Sequence, residues 1–236
     1  MNSSKFTITI PVYNEGKTVY HQIQKIVQFI ESNKLNMKIT VVNNGSTDNT
    51  KIQLDRLKSI PIVKVIDTPS KGVGIALRES WDRAQKNEII GYMDLDLSTD
   101  IYNLNKIREI LEGCEVVTAS RLENQSVVRN RKLSREIISR VFNHMIKLIF
   151  KSDINDHMCG FKFFRSDVYL NLQNKYDYSD DWFFLTEFLI LAQKQDISIY
   201  SLPVLWQDDP DSKVKVMPLT LSYLKSIFRL RRHVAT

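Results

Sequence analysis

The chain of 236 residues has little cysteine, proline or glycine, and it lacks a long hydrophobic run. Its two cysteines, Cys114 and Cys159, are too few for a disulfide scaffold, and with no secretory signal we expect reduced thiols in the cytoplasm. No run of about 18 apolar residues occurs, so we predict no transmembrane helix. Seven glycines and six prolines, without repeats, give no sign of a disordered chain.

The composition is that of a globular protein. Apolar residues make up 43% of the chain and charged residues 25%, and this length can bury one substantial core. The net charge of +6 is compatible with anionic lipid headgroups, phosphorylated substrates or nucleic acid. Charge alone does not choose among these partners.

Short apolar or β-branched stretches alternate with helical patterns from the start of the chain. We predict strands at residues 6–12, 38–42, 62–66, 89–93 and 115–120. Helical patterns follow the first three strands, at about residues 17–32, from about residue 50, and at residues 75–86. Successive βα units of this length predict an α/β fold, with a mostly parallel sheet and helices on both faces.

The stretch IIGYMDLDLSTD, residues 89–100, delivers Asp94 and Asp96 to the carboxyl end of a buried strand. Ligands collect at that edge of an open α/β sheet. Mg²⁺ or Mn²⁺ on one or two carboxylates completes its shell with water and substrate phosphate oxygens, so the pair indicates a nucleoside diphosphate site. The alternative is a turn followed by a helix cap, which this pattern alone does not exclude.

Five motifs resemble a known family: ITIPVYNEG, VVNNGSTDNT, KGVGIALRESW, MDLDLSTD and INDHMCGFKFFR. Their order and spacing are similar to those of inverting GT-A glycosyltransferases of glycosyltransferase family 2. Within it, the chain most resembles the polyprenyl-phosphate glycosyltransferases, namely the dolichyl-phosphate β-glucosyltransferases and dolichyl-phosphate mannose synthases. The resemblance covers about residues 6–232. It implies one Rossmann-like catalytic domain at 1–217, with a nucleotide-sugar half (1–120), an acceptor half (121–217) and a basic amphipathic helix at 218–236.

The resemblance also assigns a donor site. It implies nucleotide-sugar contacts at Pro11, Tyr13, Asn14, Glu15, Asn43, Asn44, Gly45, Ser46, Lys71, Asp94, Leu95 and Asp96, with Asp94 and Asp96 holding Mg²⁺ or Mn²⁺. Relatives usually carry two aspartates where this chain has Asn43 and Asn44. An amide carbonyl still accepts a hydrogen bond but brings no charge, which leaves uridine and guanosine donors open. Simpler alternatives are that Asn-Asn-Gly only makes a turn and that the KGVG glycines only let a helix pack closely.

The acceptor site is expected in the second half, where an arginine-rich passage leads into a helical pattern with one apolar face. The resemblance implies that Arg121, Arg131 and Ser134 contact a lipid phosphate, that Asp156, Gly160, Trp182 and Glu187 form the sugar and acceptor pocket, and that Arg121 and Lys213 join Asp94 and Asp96 in catalysis. Cations at a helix N-terminus oppose its dipole, so a nearby anion would explain them. The alternative is a solvated helix start at Arg129, Arg131, Lys132 and Arg135. His157 is expected to be packed or hydrogen-bonded rather than to bind a metal.

These features predict metal-dependent, inverting transfer of a hexose from a nucleotide sugar to a polyprenyl or dolichyl phosphate. UDP-glucose is the favoured donor, and GDP-mannose stays open. One alternative is a saccharide acceptor, which needs a general base and is harder to reconcile with Leu185 in place of a family Asp. Another is a non-catalytic nucleotide-sugar-binding protein, suggested by Asn43, Asn44 and Leu185.

Residues 218–232, PLTLSYLKSIFRLRR, mix leucines with basic residues as an interfacial helix on anionic lipid does. We therefore expect a cytoplasmic protein that is peripheral on the cytosolic face of a membrane and does not bind nucleic acid. A membrane-protein partner in place of transmembrane helices stays open. The alternative is a helix packed on the domain with its basic end in water.

Overall fold

The structure is a computed structural model that describes residues 4–208 and 216–235, with the backbone alone for residues 216–222 and 235. The strands are β1 (Phe6–Val12), β2 (Lys38–Asn44), β3 (Val63–Thr68), β4 (Ile89–Met93), β5 (Val116–Ser120), β6 (Val127–Arg129), β7 (Phe161–Arg165), β8 (Ile199–Pro203) and β9 (Leu205–Gln207). The helices are α1 (Val19–Ser32), α2 (Thr50–Leu57), α3 (Val73–Trp81), α4 (Leu104–Gly113), α5 (Leu133–Phe150), α6 (Ser166–Leu172), α7 (Phe183–Lys194) and α8 (Val216–Ala235). A single 3₁₀ turn, Ile101–Asn103, precedes α4.

Within the described ranges, seven strands form the main sheet in the order β3-β2-β1-β4-β7-β5-β8. Neighbouring strands are parallel except around β7, which is antiparallel to both β4 and β5. The predicted α/β fold with a mostly parallel sheet is confirmed. A second, two-stranded sheet joins β6 to β9, two strands that the sequence patterns did not predict.

Helices cover both faces of the main sheet, as predicted. On one face, α1, α2 and α4 share one core with the sheet, in which Ile8 and Ile10 of β1 are fully buried. On the other face, α3, α5, α6, α7 and α8 surround Trp81 and Phe164, whose rings meet edge to face with centroids 4.9 Å apart. Alternate residues of a strand point to opposite faces, so β4 contributes Met93 to the first core and Tyr92 to the second.

Two helices differ from their predicted form. The helix predicted at 75–86 ends at Trp81, because the chain has to turn back into β4 and Asn87 adopts a left-handed φ of 64° in that turn. The C-terminal helix packs on the domain through buried Tyr223, Ile227 and Leu230, as the alternative interpretation expected. In the part of the chain that the structure describes, no helix combines the length and the apolar character that crossing a membrane requires.

Candidate active site

Asp94 and Asp96 lie directly beyond the carboxyl end of β4, beside the carboxyl end of β1. The Asp94 N–H donates to the Gly160 carbonyl at 3.0 Å, and the Ser98 N–H donates to Asp96 Oδ1 at 2.9 Å. Leu95, between them, is buried in the core, so the two carboxylates face away from that core. The carboxyl end of β4 therefore presents both acidic side chains at one place, as the sequence predicted.

The negative charges of the Asp94 and Asp96 carboxylates repel each other. Burial and the nearby charge of Asp96 raise the pKa of Asp94 to about 7, while the hydrogen bond from the Tyr92 hydroxyl and the positive charges of Lys162 and Arg121 oppose the rise. A divalent cation would relieve this repulsion, and oxygen ligands of this kind suit Mg²⁺ or Mn²⁺. The donor set thus fits such an ion completed by substrate oxygens. No cluster of three or more His, Cys, Asp or Glu side chains fit to hold a metal occurs within the described ranges.

The loops after β1 and β2 are joined to each other at the same edge of the sheet. The Asn14 N–H donates to Ser46 Oγ at 3.0 Å, and the Glu15 N–H donates to Thr50 Oγ1 at 2.8 Å. Gly45 has a φ of +69°, a conformation that glycine adopts without strain. The strand β1 carries Pro11 into this loop, so the donor residues predicted at 11–15 and 43–46 are brought together.

Asn43 and Asn44 are the last two residues of β2, where they pair with Asp67 and Thr68 of β3. The Asn44 Oδ1 accepts from the Gly72 N–H at 2.7 Å, and the Asn43 Nδ2 donates to Asp67 Oδ1 at 2.7 Å. The Lys71 ammonium, next to Gly72, lies 3.9 Å from the centre of the Tyr13 ring. Both asparagines are buried, and their side chains link the end of β2 to β3 and to the Lys71 turn.

Arg121 and Asp156 form a two-pronged ion pair just after β5. Arg121 Nε donates to Asp156 Oδ2 at 2.7 Å, its Nη2 donates to Oδ1 at 3.0 Å, and its backbone N–H adds a third bond at 3.1 Å. Burial opposes the charge of Asp156, yet the Arg121 cation and its hydrogen bonds hold the pKa of this carboxyl well below its usual range. The Trp206 ring lies 4.8 Å from the guanidinium carbon, so the Arg121 side chain is fixed from two sides.

An apolar groove of about 480 Å³ runs along α5 and reaches this charged end. The groove is lined by Asp96, Arg121, Arg131, Arg135, Ile137, Ile138, Ser139, Val141, Phe142, Met145, Met158, Trp182, Trp206, Asp208, Tyr223 and Leu224. Its charged residues are three arginines and the two carboxylates Asp96 and Asp208, and most of its remaining wall is hydrocarbon. Such a groove can take a ligand that has an anionic head and an apolar tail.

Only part of the apolar surface of α5 enters the core. Leu133, Ile137, Ile138, Val141 and Leu148 are between 46% and 73% exposed, whereas Ile146 and Phe150 are buried. Arg131 is also not part of a solvated helix start, because its side chain is only 8% exposed and it pairs with Glu136 at 2.8 Å. For Arg131 that alternative interpretation is wrong, while Arg129 and Lys132 are exposed as it expected.

The profile of the family described as Glycosyl transferase family 2 matches residues 7–172. The chain belongs to glycosyl transferase family 2. It is 29% identical to Glycosyltransferase AglD of Haloferax volcanii, over 94% of this chain but 36% of that protein. It is 26% identical to the dolichyl-phosphate beta-glucosyltransferase ALG5C of Trichomonas vaginalis, over 89% of this chain and 66% of that protein. The chain thus spans about a third of the first relative's length and about two thirds of the second's.

Solved structures confirm the GT-A fold. Glucosyl-3-phosphoglycerate synthase from Mycobacterium tuberculosis, in complex with Mn²⁺, uridine-diphosphate and phosphoglyceric acid, superposes with a TM-score of 0.72, covering 98% of this chain and 79% of that one. At 12% sequence identity, this likeness concerns the fold. The same protein has been solved with Mn²⁺ and UDP-glucose, at a TM-score of 0.70 and 13% identity.

The structure brings together only part of the residues that the family resemblance assigned to the acceptor side. Trp182 lines the groove, with its ring centre 6.2 Å from that of Tyr92. Ser134 is exposed and does not line the groove, and Glu187 is fully buried in a separate polar cluster. Lys213 lies outside the described residues.

Other residues at this family 2 site were missed by the sequence analysis. Arg135, which the sequence analysis named only in the alternative of a solvated helix start, lines the groove from the first turn of α5. Trp206 and Asp208 come from the far end of the chain, where no local pattern marked them. Buried Lys162, whose ammonium donates to the Cys159 carbonyl, is a further cation behind Asp94, and burial lowers its pKa. His157 is buried with Asn143 and Ser152 as its partners, as predicted.

Proposed function

We propose that this chain is a hexosyltransferase that moves a hexose, with metal dependence and inversion, from a nucleotide sugar to a polyprenyl or dolichyl phosphate. UDP-glucose is the favoured donor and GDP-mannose the second. The observation that carries the proposal is the apolar groove that ends at Asp96, Arg121 and Arg131. An acceptor of this class has the anionic head and the hydrocarbon tail that such a groove matches.

The acceptor phosphate needs little chemical activation, because it is already an anion at neutral pH. In the proposed reaction Arg121 and Arg131 bind it at the end of the groove, and Asp156 keeps the Arg121 guanidinium in a fixed orientation. A phosphate oxygen attacks the anomeric carbon from the side opposite the leaving nucleoside diphosphate, so an α-linked donor gives a β-linked product. No general base is required, so the presence of Leu185 in place of a family aspartate does not hinder this reaction.

Asp94 and Asp96 would hold Mg²⁺ or Mn²⁺. When bound there, the ion supplies positive charge to the leaving diphosphate. The donor would lie against Tyr13, Lys71 and the turn after β2. The relatives named as dolichyl-phosphate beta-glucosyltransferases support the choice of sugar and acceptor. The structural neighbour solved with Mn²⁺ and UDP-glucose supports the choice of donor and metal. The catalytic role of Lys213 stays a prediction.

We also propose that the protein works on the cytosolic face of a membrane as a peripheral protein. Support comes from α5, whose exposed apolar residues include Leu133 and Val141, at 73% and 63% exposure. The cations Lys132 and Arg140 lie next to them along the helix, as on helices that rest in a lipid interface. This assigns membrane contact to α5 rather than to the C-terminal helix alone. It also brings the mouth of the groove to the lipid.

The test is transfer of radiolabelled sugar from UDP- and GDP-hexoses to a short polyprenyl phosphate, with Mn²⁺, with Mg²⁺ and with EDTA. Metal-dependent product that extracts into chloroform is the expected result, and it names the donor. Inversion is read from the anomeric configuration of the product by NMR. Metal-dependent nucleotide binding without any product would contradict the proposal and favour the non-catalytic alternative.

A soluble acceptor is the second candidate, and one observation favours it. A polar pocket of about 570 Å³ shares Arg121 and Arg131 with the groove and is lined also by Glu123, Asn124 and Arg140. The two arginines thus line both an apolar groove and a polar pocket. Transfer to phosphorylated or free saccharides in the same assay, without transfer to polyprenyl phosphate, would select this candidate.

A further inference from the structure

A polar cluster that the proposed reaction does not use lies between α7 and α8. At its centre is Glu187, which is fully buried. Its carboxylate accepts from the Ser179 N–H at 2.7 Å, from Ser179 Oγ at 2.8 Å and from Arg229 Nη2 at 3.0 Å. Burial raises the pKa of Glu187, and the bonds from Ser179 and Arg229 oppose the rise. A buried carboxylate with several aligned donors fixes the position of each donor.

The chain next to Ser179 is pressed against the first turn of α3. The Asp180 carbonyl accepts from the Gly74 N–H at 2.9 Å, and the Ser179 carbonyl accepts from Arg78 at 3.1 Å. A Cβ at either Gly72 or Gly74 would overlap these carbonyl oxygens. A displacement of residues 179–180 would therefore also displace the first turn of α3. Lys71 of the donor site lies directly before this turn in the chain.

The same segment also reaches the acceptor groove. Trp182 lies two residues beyond Asp180, lines the groove, and meets the Tyr92 ring edge to face. The Tyr92 hydroxyl in turn donates to Asp94. Residues 179–182, which we call the linking segment, thus touch the donor turn at one end and the groove at the other.

Ser226 Oγ of α8 lies 3.1 Å from Ser179 Oγ, and Arg229 of the same helix forms an ion pair with Glu187. The Arg229 Nη2 donates to Ser179 Oγ at 2.7 Å and its Nε donates to the Tyr176 hydroxyl at 3.1 Å. Tyr223, Ile227 and Leu230 hold α8 on the core independently of this contact. The Arg229 side chain is 42% exposed, so removing its charge changes the cluster without emptying the core.

We infer that Arg229 is a positioning residue for the donor site: through Glu187 and Ser179 it fixes the linking segment, and the linking segment fixes the Lys71 turn. The inference rests on the proposed function, because it presumes that the Lys71 turn binds a nucleoside diphosphate. It gives the C-terminal helix a role in donor binding, although no residue of the helix needs to touch the donor.

The test compares Arg229→Met, Arg229→Lys and Arg231→Met, the last being a matched change at an exposed arginine of the same helix. Binding of UDP and of GDP is measured by calorimetry with Mn²⁺, without any acceptor. We expect Arg229→Met to weaken binding by at least about fivefold, the lower range of coupling between sites. Arg229→Lys keeps a cation near Glu187, so its nucleotide affinity should lie between those of the wild type and Arg229→Met. Arg231→Met should bind both nucleotides as the wild type does.

Hydrogen exchange of the amides of residues 72–76 is the second readout. The Gly74 N–H is bonded to the linking segment, so it should exchange faster in Arg229→Met and not in Arg231→Met. Unchanged nucleotide affinity in a folded Arg229→Met protein would overturn the inference, even if its melting temperature fell. If Arg229→Met does not fold, faster exchange of the Gly74 N–H in Arg229→Lys is required instead, and unchanged exchange would overturn the inference. A wild-type protein that binds neither nucleotide would instead overturn the proposed function, and the inference with it.

Discussion

Gly160 lies directly against the Asp94 carboxylate. A Cβ at position 160 would overlap Asp94 Oδ2, and the Gly160 carbonyl accepts the Asp94 N–H at 3.0 Å. The residue just before β7 therefore sets the orientation of the first candidate metal ligand. Gly160 does not have a left-handed φ, so its backbone conformation does not require glycine. Glycine is required at this position because a side chain would overlap the Asp94 carboxylate.

Gly160→Ala should displace the Asp94 carboxylate and weaken metal-dependent nucleotide binding at least about tenfold, because metal sites tolerate small misplacements poorly. Calorimetry of UDP binding with Mn²⁺ measures this. The control is Gly113→Ala, where a Cβ meets no atom within 4 Å and alanine should stabilise the helix end by about 0.5–1 kcal/mol. Equal binding by both variants would show that Asp94 adjusts without cost.

Asp96→Asn should abolish both Mn²⁺ binding and sugar transfer while leaving the fold intact, since the residue is exposed. Electron paramagnetic resonance of free Mn²⁺ gives the metal affinity without an activity assay. Asp196→Asn is the control, because this exposed residue precedes β8 at the opposite edge of the sheet. Transfer that survives in Asp96→Asn would remove the metal assignment.

Arg131 and Arg140 offer a matched pair for the acceptor. Both bind Glu136, at 2.8 Å and 2.5 Å, but only Arg131 lines the apolar groove. Arg131→Met should raise the KM for polyprenyl phosphate at least about tenfold, since a charge-assisted phosphate contact contributes about 1.5–3 kcal/mol. Arg140→Met should leave that KM unchanged. An equal rise in both would place the acceptor in the polar pocket.

The exposed face of α5 predicts lipid binding. Ile137→Ser combined with Val141→Ser should reduce binding to anionic vesicles, because it removes apolar area that would enter the lipid. Both residues are more than half exposed, so the free energy of unfolding should change by no more than about 0.5 kcal/mol per substitution. Ile52→Ser, at 64% exposure on the other side of the sheet, is the control in vesicle sedimentation. Equal vesicle binding by the wild type, the double variant and Ile52→Ser would refute the role of α5 in lipid binding.

Asp156 predicts a pH dependence of stability. Its folded pKa lies below the ordinary value of 3.8, so the unfolded chain binds more protons in this window and the stabilisation is lost as the pH falls below 3.8. Asp156→Asn leaves Arg121 buried without its partner and should cost about 3–5 kcal/mol near neutral pH. In urea unfolding, the difference in the free energy of unfolding between the wild type and Asp156→Asn should decrease as the pH falls from about 5 to about 3. A difference in the free energy of unfolding that stays constant with pH would mean that the ion pair adds no charge-dependent stability.

Local patterns were enough for the parallel half of the fold. The strands from β1 to β4 and the acidic pair after β4 follow from apolar runs and turn residues that lie close together in the chain. They were not enough for α5: the helical spacing predicts one apolar face, but not that Leu133 and Val141 stay exposed while Ile146 and Phe150 enter the core. Periodicity states that a face is apolar, but it does not state what covers that face.

The sequence by itself determined the alternation of strands and helices and the position of Asp94 and Asp96 at a strand end, because both depend on neighbouring residues. Only the tertiary structure decided which distant side chains meet. Inserting β7 antiparallel between β4 and β5 brings the Asp156–Gly160 loop to both Arg121 and Asp94, and packing α8 on α7 joins Arg229 to Glu187. Such pairings depend on how whole elements pack, and no local pattern carries that information.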